Sequence, residues 1–204
     1  MHKIFISYHH RNDQIYKEEL LRLNKMHNIF IDGSVDTGDI SDDLTDEEIR
    51  VKIRDEYLKE TSVTILLVGE ETWGRKHIDW ELHSSMFDGK INKKSGILVI
   101  SLPSTGHVSA TASHDNEKQI IHPGVNNWIN LDTRSACDQI YPLMPDRVAD
   151  NLLKKEAKIS VIPWNRIAEN PEILRFLIEA TYNDRTVCEY DLSRPLRRKN
   201  HSDI

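Results

Sequence analysis

The chain has 204 residues, of which 38% are hydrophobic and 29% are charged, as expected for a soluble globular protein with a polar surface. Its formal net charge of −6 argues against a general nucleic-acid-binding surface. We find no apolar run near the roughly 20 residues that a membrane helix needs, and no secretory signal at the first residues. The two cysteines, Cys137 and Cys188, are far apart, which argues against a disulfide framework and against a structural zinc site. We therefore expect a cytoplasmic protein that binds neither membrane nor nucleic acid.

The first strand and the first helix follow directly from the opening residues. KIFISY (3–8) is apolar and bounded by HHRND, which predicts a buried strand. Asn12 or Asp13 is expected to cap the helix that follows. NIFID (28–32) predicts a second, shorter strand, which leads into a loop rich in Gly and Asp.

Two further strands and two helices are predicted up to residue 102. Thr45 and Glu48 have the spacing of a capping box, which predicts the start of the second helix. TSVTILLVG (61–69) has an uninterrupted apolar centre, typical of a strand covered on both faces by helices. RKHIDWELHSSMFDG (75–89) predicts a helix, and GILVISL (96–102) predicts the fourth strand.

The second half of the chain has a less regular pattern. Residues 104–119 are polar and aperiodic, which predicts a long surface loop. We expect a short strand near Trp128 and a helix around residues 147–154. KISVI (158–162) predicts the fifth strand, and a last helix is expected to begin with Asn170 as its cap and Pro171 as its first residue.

The order of these elements predicts an α/β protein. Strands that alternate with helices are typical of an open, mainly parallel sheet with helices on both faces, here with five strands. We expect one domain over residues 1–185, with an excursion at about 103–157. Residues 186–204 would form a tail whose basic part, 194–199, is either solvated and frayed or a contact for an anionic partner, the first being favoured.

Common nucleotide and metal motifs are missing from the sequence. The eight glycines form neither G-x-G-x-x-G nor G-x-x-x-x-G-K-[ST], which disfavours a Rossmann dehydrogenase and a P-loop nucleotidase. His77 and Glu81 are four residues apart on one predicted helix, but no third ligand follows at a recognisable spacing. We therefore expect no metal site.

Three stretches in the first half of the chain resemble a known family. KIFISYHHRND, IRDEYLKETSVTILLVG and TWGRKHIDWELH resemble a TIR domain, and more narrowly the TIR-like signalling proteins of the Thoeris antiphage defence system. The resemblance covers residues 1–102. It implies a flavodoxin-like fold and an enzyme that cleaves NAD+, its substrate, at the nicotinamide–ribose bond without a cofactor. It also implies a product that is a cyclic ADP-ribose isomer, a second messenger that reaches a separate effector protein, with assembly into a homo-oligomer on activation.

The same resemblance implies where catalysis takes place. The family's catalytic glutamate lies in the W-E pair on the helix after the third strand, which corresponds to Glu81. The loop at residues 33–43 is expected to gate the pocket. Helical geometry places Glu81 about 60° from the inward stripe that begins at Ile78, neither outward nor in the core. From there a carboxylate can face a cleft at the carboxyl ends of the strands.

We predict further substrate contacts around this glutamate, at Ser7, Tyr8, His9, Asp36, Trp73, Arg75, Lys76 and His77. Aromatic rings would stack on a base, and Arg75 and Lys76 would contact the diphosphate. Trp80 is a further candidate for stacking. Five of these candidates have a structural alternative: Ser7 can serve as a hydroxyl that bonds a neighbouring loop, Trp73 can plug the edge of the sheet, Arg75 and Lys76 can be solvated residues of the first helical turn, and Trp80 can face a partner subunit.

Two other functions stay open at this point. A TIR-like adaptor would assemble signalling partners without chemistry, because a fold alone does not determine function. A flavodoxin-like ligand binder without chemistry is the third and weaker hypothesis.

Overall fold

A computed structural model of the chain describes residues 1–34, 40–41, 43–89 and 92–201. Its strands form one five-stranded sheet in which every pair of neighbours is parallel. The strands are β1 (Lys3–Ser7), β2 (Ile31–Asp32), β3 (Val63–Val68), β4 (Gly96–Ser101) and β5 (Ser160–Pro163). Their order across the sheet is β2-β1-β3-β4-β5, which confirms the predicted open α/β architecture.

Six of the α-helices in the described residues lie in the connections between the strands, and two follow the last strand. The α-helices are α1 (His10–His27), α2 (Asp46–Lys52), α3 (Lys76–Met86), α4 (Glu117–Ile121), α5 (Arg134–Ile140), α6 (Asp146–Leu152), α7 (Trp164–Glu169) and α8 (Pro171–Asp184). A π-helical segment, Ile53–Tyr57, continues α2. None of the helices in the described part of the chain has the length and apolar character that crossing a bilayer requires.

The sheet is covered on both faces because successive residues of a strand point to opposite sides. Ile65 of β3 packs in one cluster with Leu20 of α1, whereas its neighbour Leu66 packs in another with Leu82 of α3. All six residues of β3 and all six of β4 are buried. This double coverage agrees with the uninterrupted apolar runs that predicted these strands.

The start of α1 differs from the prediction. Its N-cap is His9, whose Nδ1 accepts a hydrogen bond from the backbone N–H of Asn12 at 3.1 Å. Asp13 is instead buried, with the Thr72 hydroxyl donating to its carboxylate at 3.3 Å. A Cβ at Gly69 would come within 2.4 Å of that carboxylate, so the close approach requires glycine. The expectation that Asn12 or Asp13 caps the helix is therefore wrong, and the caps predicted at Thr45 and Asn170 are confirmed.

The second strand is shorter than predicted, since it contains Ile31–Asp32 alone. The preceding Ile29 and Phe30 donate their backbone N–H groups to the side-chain oxygen of Asn24, at 3.0 and 2.8 Å. Their hydrogen bonds thus go to the end of α1 and not to β1. Ile29 and Phe30 are buried, as the apolar run indicated, whereas Ile31 is 50% exposed.

The excursion is more ordered than the polar sequence suggested. Thr111 forms an antiparallel bridge with Val161 of β5, so part of residues 104–119 packs on the sheet edge. The predicted strand near Trp128 is wrong, because the described residues around it are irregular. Residues 134–140 form α5, which was not predicted, while α6 lies where a helix was expected.

The tail is docked on the domain, and the expectation of a solvated, frayed segment is wrong. Arg147 is fully buried and donates to the carbonyl oxygens of Arg194 and Pro195 at 3.0 and 3.2 Å. The basic side chains of Arg194 and Arg197 pair with carboxylates on α6, which include Asp146 at 3.3 Å from Arg197. Much of the positive charge predicted for this segment is thus neutralised within the chain.

Candidate functional site

Glu81 lies on the inner side of α3, directly opposite the end of β1. The hydroxyl of Ser7, the last residue of β1, donates to its carboxylate at 2.6 Å. Glu81 is 4% exposed and Ser7 is 1% exposed. The strand order reverses between β1 and β3, and ligands of open α/β sheets bind at this switch point, beyond the carboxyl ends of the strands. The structure therefore brings together two of the residues singled out from the sequence, at the expected edge of the sheet.

The environment of Glu81 disfavours a permanent negative charge. Burial raises the pKa of its carboxyl group to about 7, and the smaller effect of the Ser7 hydrogen bond lowers it. Among the described residues, Ser7 is the one hydrogen-bond partner of this carboxylate. A carboxyl group that titrates near neutrality can hold a proton or release it under ordinary conditions.

Tyr8 and His9 continue from Ser7 but are engaged with α1. The Tyr8 hydroxyl donates to the side chain of Gln14 at 2.6 Å, and its ring stacks on His10. The His9 ring caps α1, and burial lowers its pKa. Both side chains are buried, so each would have to exchange a present contact to bind a substrate.

The candidates that precede Glu81 cluster at the start of α3 and face the tail. The Trp73 ring lies 4.4 Å from that of His201, and Arg75 pairs with Glu71. The backbone N–H of Lys76 donates to the side chain of Asn200 at 3.1 Å. Trp73 and Arg75 also line a cavity of about 210 Å³ between α3 and the tail, which Glu81 does not line.

Trp80 does not face a partner subunit, so that alternative is wrong. It is 0% exposed and packs in a cluster with Phe5 and Leu196. Its indole N–H donates to the carbonyl oxygen of Arg197 at 2.8 Å. The ring of His77 packs edge-on against the indole at 5.1 Å. The helical projection predicted that Trp80 lies outside the core. That prediction failed because Trp80 is covered by the docked tail, which is more than 100 residues away in the chain.

Asp36 lies outside the described residues, as does most of the loop at 33–43 that was expected to gate the pocket. The described start of that loop contacts β1, because the Ser34 hydroxyl accepts a hydrogen bond from the backbone N–H of Ile6 at 3.1 Å. This contact is one residue before Ser7. In the described part of the chain, no group of three or more His, Cys, Asp or Glu side chains is arranged to hold a metal ion.

A larger cavity, of about 650 Å³, was missed from the sequence. It lies between the excursion and the carboxyl ends of β4 and β5, and Glu81 does not line it. The excursion has no periodicity, so no helix or strand face indicated that its residues enclose a space. The signal that could have been noticed is the presence of two histidines and one tryptophan in it, His107, His122 and Trp128.

Comparison with known proteins identifies a family. The family model described as Thoeris protein ThsB, TIR-like domain, matches residues 5–107, about half of the 204 residues. The matched segment extends from β1 through β4 and contains both Ser7 and Glu81. A search of curated proteins and a search of solved structures each found no significant match.

Proposed function

Because the chain belongs to the family of Thoeris ThsB TIR-like domains, we propose that it is an enzyme that cleaves NAD+ at the nicotinamide–ribose bond. The ADP-ribose part is then closed into a cyclic isomer, a second messenger that diffuses through the cytoplasm to a separate defence effector. One observation carries the proposal. A buried carboxylate, Glu81, stands at the carboxyl end of β1 with the Ser7 hydroxyl as its described hydrogen-bond partner.

The chemistry suits a single buried carboxylate. Nicotinamide leaves NAD+ as a neutral molecule, and its departure places positive charge on the ribose. A carboxylate beside that sugar stabilises the developing cation, or bonds to it transiently, as glycosidase carboxylates do. Because Glu81 is 4% exposed, water screens this attraction far less than it would at the surface.

The pKa of Glu81 also suits a role as the group that accepts a proton during the reaction. Cyclisation of NAD+ yields nicotinamide, a cyclic ADP-ribose and one proton, and attack by water yields nicotinamide, linear ADP-ribose and one proton. In either case the attacking group loses a proton. A carboxyl group with a pKa of about 7 is well matched to accept that proton near neutral pH.

We propose that the described arrangement is a resting form. Glu81 is 4% exposed and lines neither of the cavities described above, so in this proposal NAD+ reaches it after a neighbouring segment moves. Assembly into a homo-oligomer on activation is the movement we favour. The side chains of Tyr8, His9, Trp73, Arg75, Lys76 and His77 then become substrate contacts as their present partners are exchanged.

The test is mass spectrometry of small molecules from phage-infected cells that carry the wild type, Glu81→Gln or Glu70→Gln. Glu81→Gln keeps the size of the side chain and removes its charge, and Glu70 is an exposed glutamate close to the site. We expect nicotinamide and a cyclic ADP-ribose isomer with the wild type and with Glu70→Gln. With Glu81→Gln we expect about a hundredth of that product or less, the loss that removal of a transition-state charge contact causes. Equal product from all three would refute the proposal.

A non-catalytic adaptor is the second candidate, and the closed surroundings of Glu81 favour it. An adaptor needs no access to a buried carboxylate, so Glu81→Gln would then preserve defence in full. The same infected cells distinguish the two functions, because survival of Glu81→Gln cells without any NAD+-derived product would identify the adaptor.

A further inference from the structure

The cavity of about 650 Å³, named here the β4–β5 cavity, has the size of a small-molecule site. Ser101, at the end of β4, and Pro163, at the end of β5, form its floor, and His107, Thr111 and Tyr141 come from the excursion side. Glu81 does not line it, so it is separate from the proposed catalytic position.

We propose that the β4–β5 cavity binds a planar heteroaromatic ligand that carries an anionic group, of the nucleoside monophosphate class. Such a ligand would match the aromatic lining of the cavity, its charge, its unpaired ring nitrogens and its rim. Binding there does not depend on NAD+ cleavage.

Aromatic side chains line the cavity, and Trp128 gives it a surface on which a flat ring can stack. Trp128 is half-buried, whereas Tyr141 at 1% and Trp164 at 8% exposed are packed into the wall of the cavity. Tyr141 is held in place because its hydroxyl bonds to that of Thr111 at 2.9 Å. Stacking on such rings is favourable for every heterocyclic base, since each has a π face.

The charge around the cavity favours an anion. Arg166 is the single charged side chain among the described residues that line it, and no carboxylate does. The Lys118 ammonium group lies 4.6 Å from the centre of the Trp128 ring, just outside the lining. A guanidinium has five N–H donors, and one nitrogen of Arg166 already donates to the Ile121 carbonyl at 2.6 Å. Two cations without a lining carboxylate repel a cationic ligand and attract a phosphate.

Two histidine rings beside the cavity each have a buried nitrogen that could form a hydrogen bond to a ligand. The Nε2 atoms of His107 and His122 are buried and have no hydrogen-bond partner in the described part of the chain. Burial lowers the pKa of both rings, and Arg166 lowers that of His122 further, so both are neutral near pH 7. A neutral imidazole carries one N–H donor and one acceptor nitrogen, which suits the mixed edge of a nucleobase. Unpaired buried polar atoms in a folded protein point to a missing ligand or water.

The rim of the cavity is apolar and open to solvent. Val108, Val125 and Ile129 line it and are 87%, 42% and 73% exposed. Exposed apolar side chains grouped around one concave site mark a surface that a ligand covers. A heterocycle that enters the cavity would bury part of this rim and gain hydrophobic free energy.

The test is calorimetric titration of the full chain with adenosine 5′-monophosphate, adenosine and N1-methylnicotinamide, which are anionic, neutral and cationic planar ligands. We expect one adenosine 5′-monophosphate per chain, weaker binding of adenosine, and no saturable binding of the cation. Val108→Glu places a carboxylate at the exposed rim and should weaken the nucleotide about tenfold or more. Val187→Glu is the matched control, since Val187 is 65% exposed and does not line the cavity.

Arg166→Gln gives a second variant, because it removes the charge and keeps an N–H donor for the Ile121 carbonyl. It should reduce the preference for the nucleotide over adenosine. Hydrogen exchange locates the ligand, and we expect slower exchange in residues 106–111 and 122–131. The proposal is overturned if neither the nucleotide nor adenosine saturates the protein at millimolar concentration, or if Val108→Glu and Val187→Glu weaken binding equally. It is also overturned if the ligand slows hydrogen exchange only in residues 5–9 and 76–86. None of these measurements involves nicotinamide release, so a negative result for nucleotide binding would not count against the proposed catalysis.

Discussion

Two glutamates are buried in this domain in very different surroundings. The carboxylate of Glu117, which is 1% exposed, accepts hydrogen bonds from the backbone N–H groups of Ser113 and His114 at 2.9 and 3.0 Å. The Ser160 hydroxyl of β5 adds a third at 2.6 Å. Glu81 is 4% exposed and has the Ser7 hydroxyl as its described donor, also at 2.6 Å. Burial is thus nearly the same, whereas the number of donors is not.

The difference is consistent with a structural role for Glu117 and with the catalytic role proposed for Glu81. The donors of Glu117 belong to the segment that it anchors to β5, so its charge is stabilised by the fold itself. Glu81 keeps lone pairs without a described donor, so its charge is stabilised least in the resting protein and most when a cation lies beside it. Donor count, more than burial, therefore distinguishes the two positions.

The pH dependence of stability should distinguish Glu81 most strongly. The pKa of Glu81 is about 7 in the folded protein, against an ordinary value of 4.5. Because the folded state holds the proton more tightly, this contribution to stability is fully present below pH 4.5 and is lost as the pH rises through 7. Relative to Glu81→Gln, the wild type should lose about 3 kcal/mol of unfolding free energy between pH 4.5 and pH 8.

Urea unfolding of both proteins across that pH range measures the effect, and taking their difference removes the titration of all other groups. A difference that stays constant with pH would show that Glu81 is solvated in the folded state.

The next effect concerns Glu117. The three donors of Glu117 bind one carboxylate oxygen, so Glu117→Gln can keep these hydrogen bonds through its carbonyl oxygen but removes the charge that strengthens them. It should therefore lower the free energy of unfolding by about 2 kcal/mol. Urea unfolding near pH 7 checks this, with the exposed Glu70→Gln as a control expected within about 0.5 kcal/mol of the wild type. If Glu117→Gln were as stable as the control, the proposed distinction by donor count would fail.

The smallest effect concerns Ser7. Its hydrogen bond lowers the pKa of Glu81, so Ser7→Ala should raise that pKa further above 7. The acidic limb of the pH profile of nicotinamide release should move to higher pH by about one unit or less, as expected for the loss of one hydrogen bond. Ser7→Thr keeps the hydroxyl and should retain the wild-type profile. A profile that Ser7→Ala leaves in place would mean that this hydroxyl does not act on the titrating group.

The sheet could be predicted from the sequence because its determinants are local. The apolar runs of β3 and β4 and the capping side chains of Thr45 and Asn170 each act within a few residues. The contact between Glu81 and the end of β1 could also be predicted, because parallel strands place their carboxyl ends at one edge of the sheet.

What could not be predicted depends on contacts between distant residues. The full burial of Trp80 requires the tail, whose Arg197 carbonyl binds the indole from 117 residues further along the chain. The excursion packs through Thr111 and Glu117 onto β5, and neither position shows a periodic pattern. His9 caps α1 because Asp13 is drawn into the contact with Gly69 and Thr72, a contact that the local helix signal does not contain.

The docked tail has a consequence for how the protein matures during synthesis. Residues 194–197 supply carbonyl partners for Arg147 and for the Trp80 indole, and Leu196 completes the apolar cluster around that indole. Until residues 194–197 have been synthesised, the nascent chain has α3 with its tryptophan uncovered and a buried arginine short of acceptors. The packing around Trp80 is therefore completed only after residues 194–197 have emerged from the ribosome, so a shorter nascent chain would carry the proposed catalytic residue on a helix that lacks its mature neighbours.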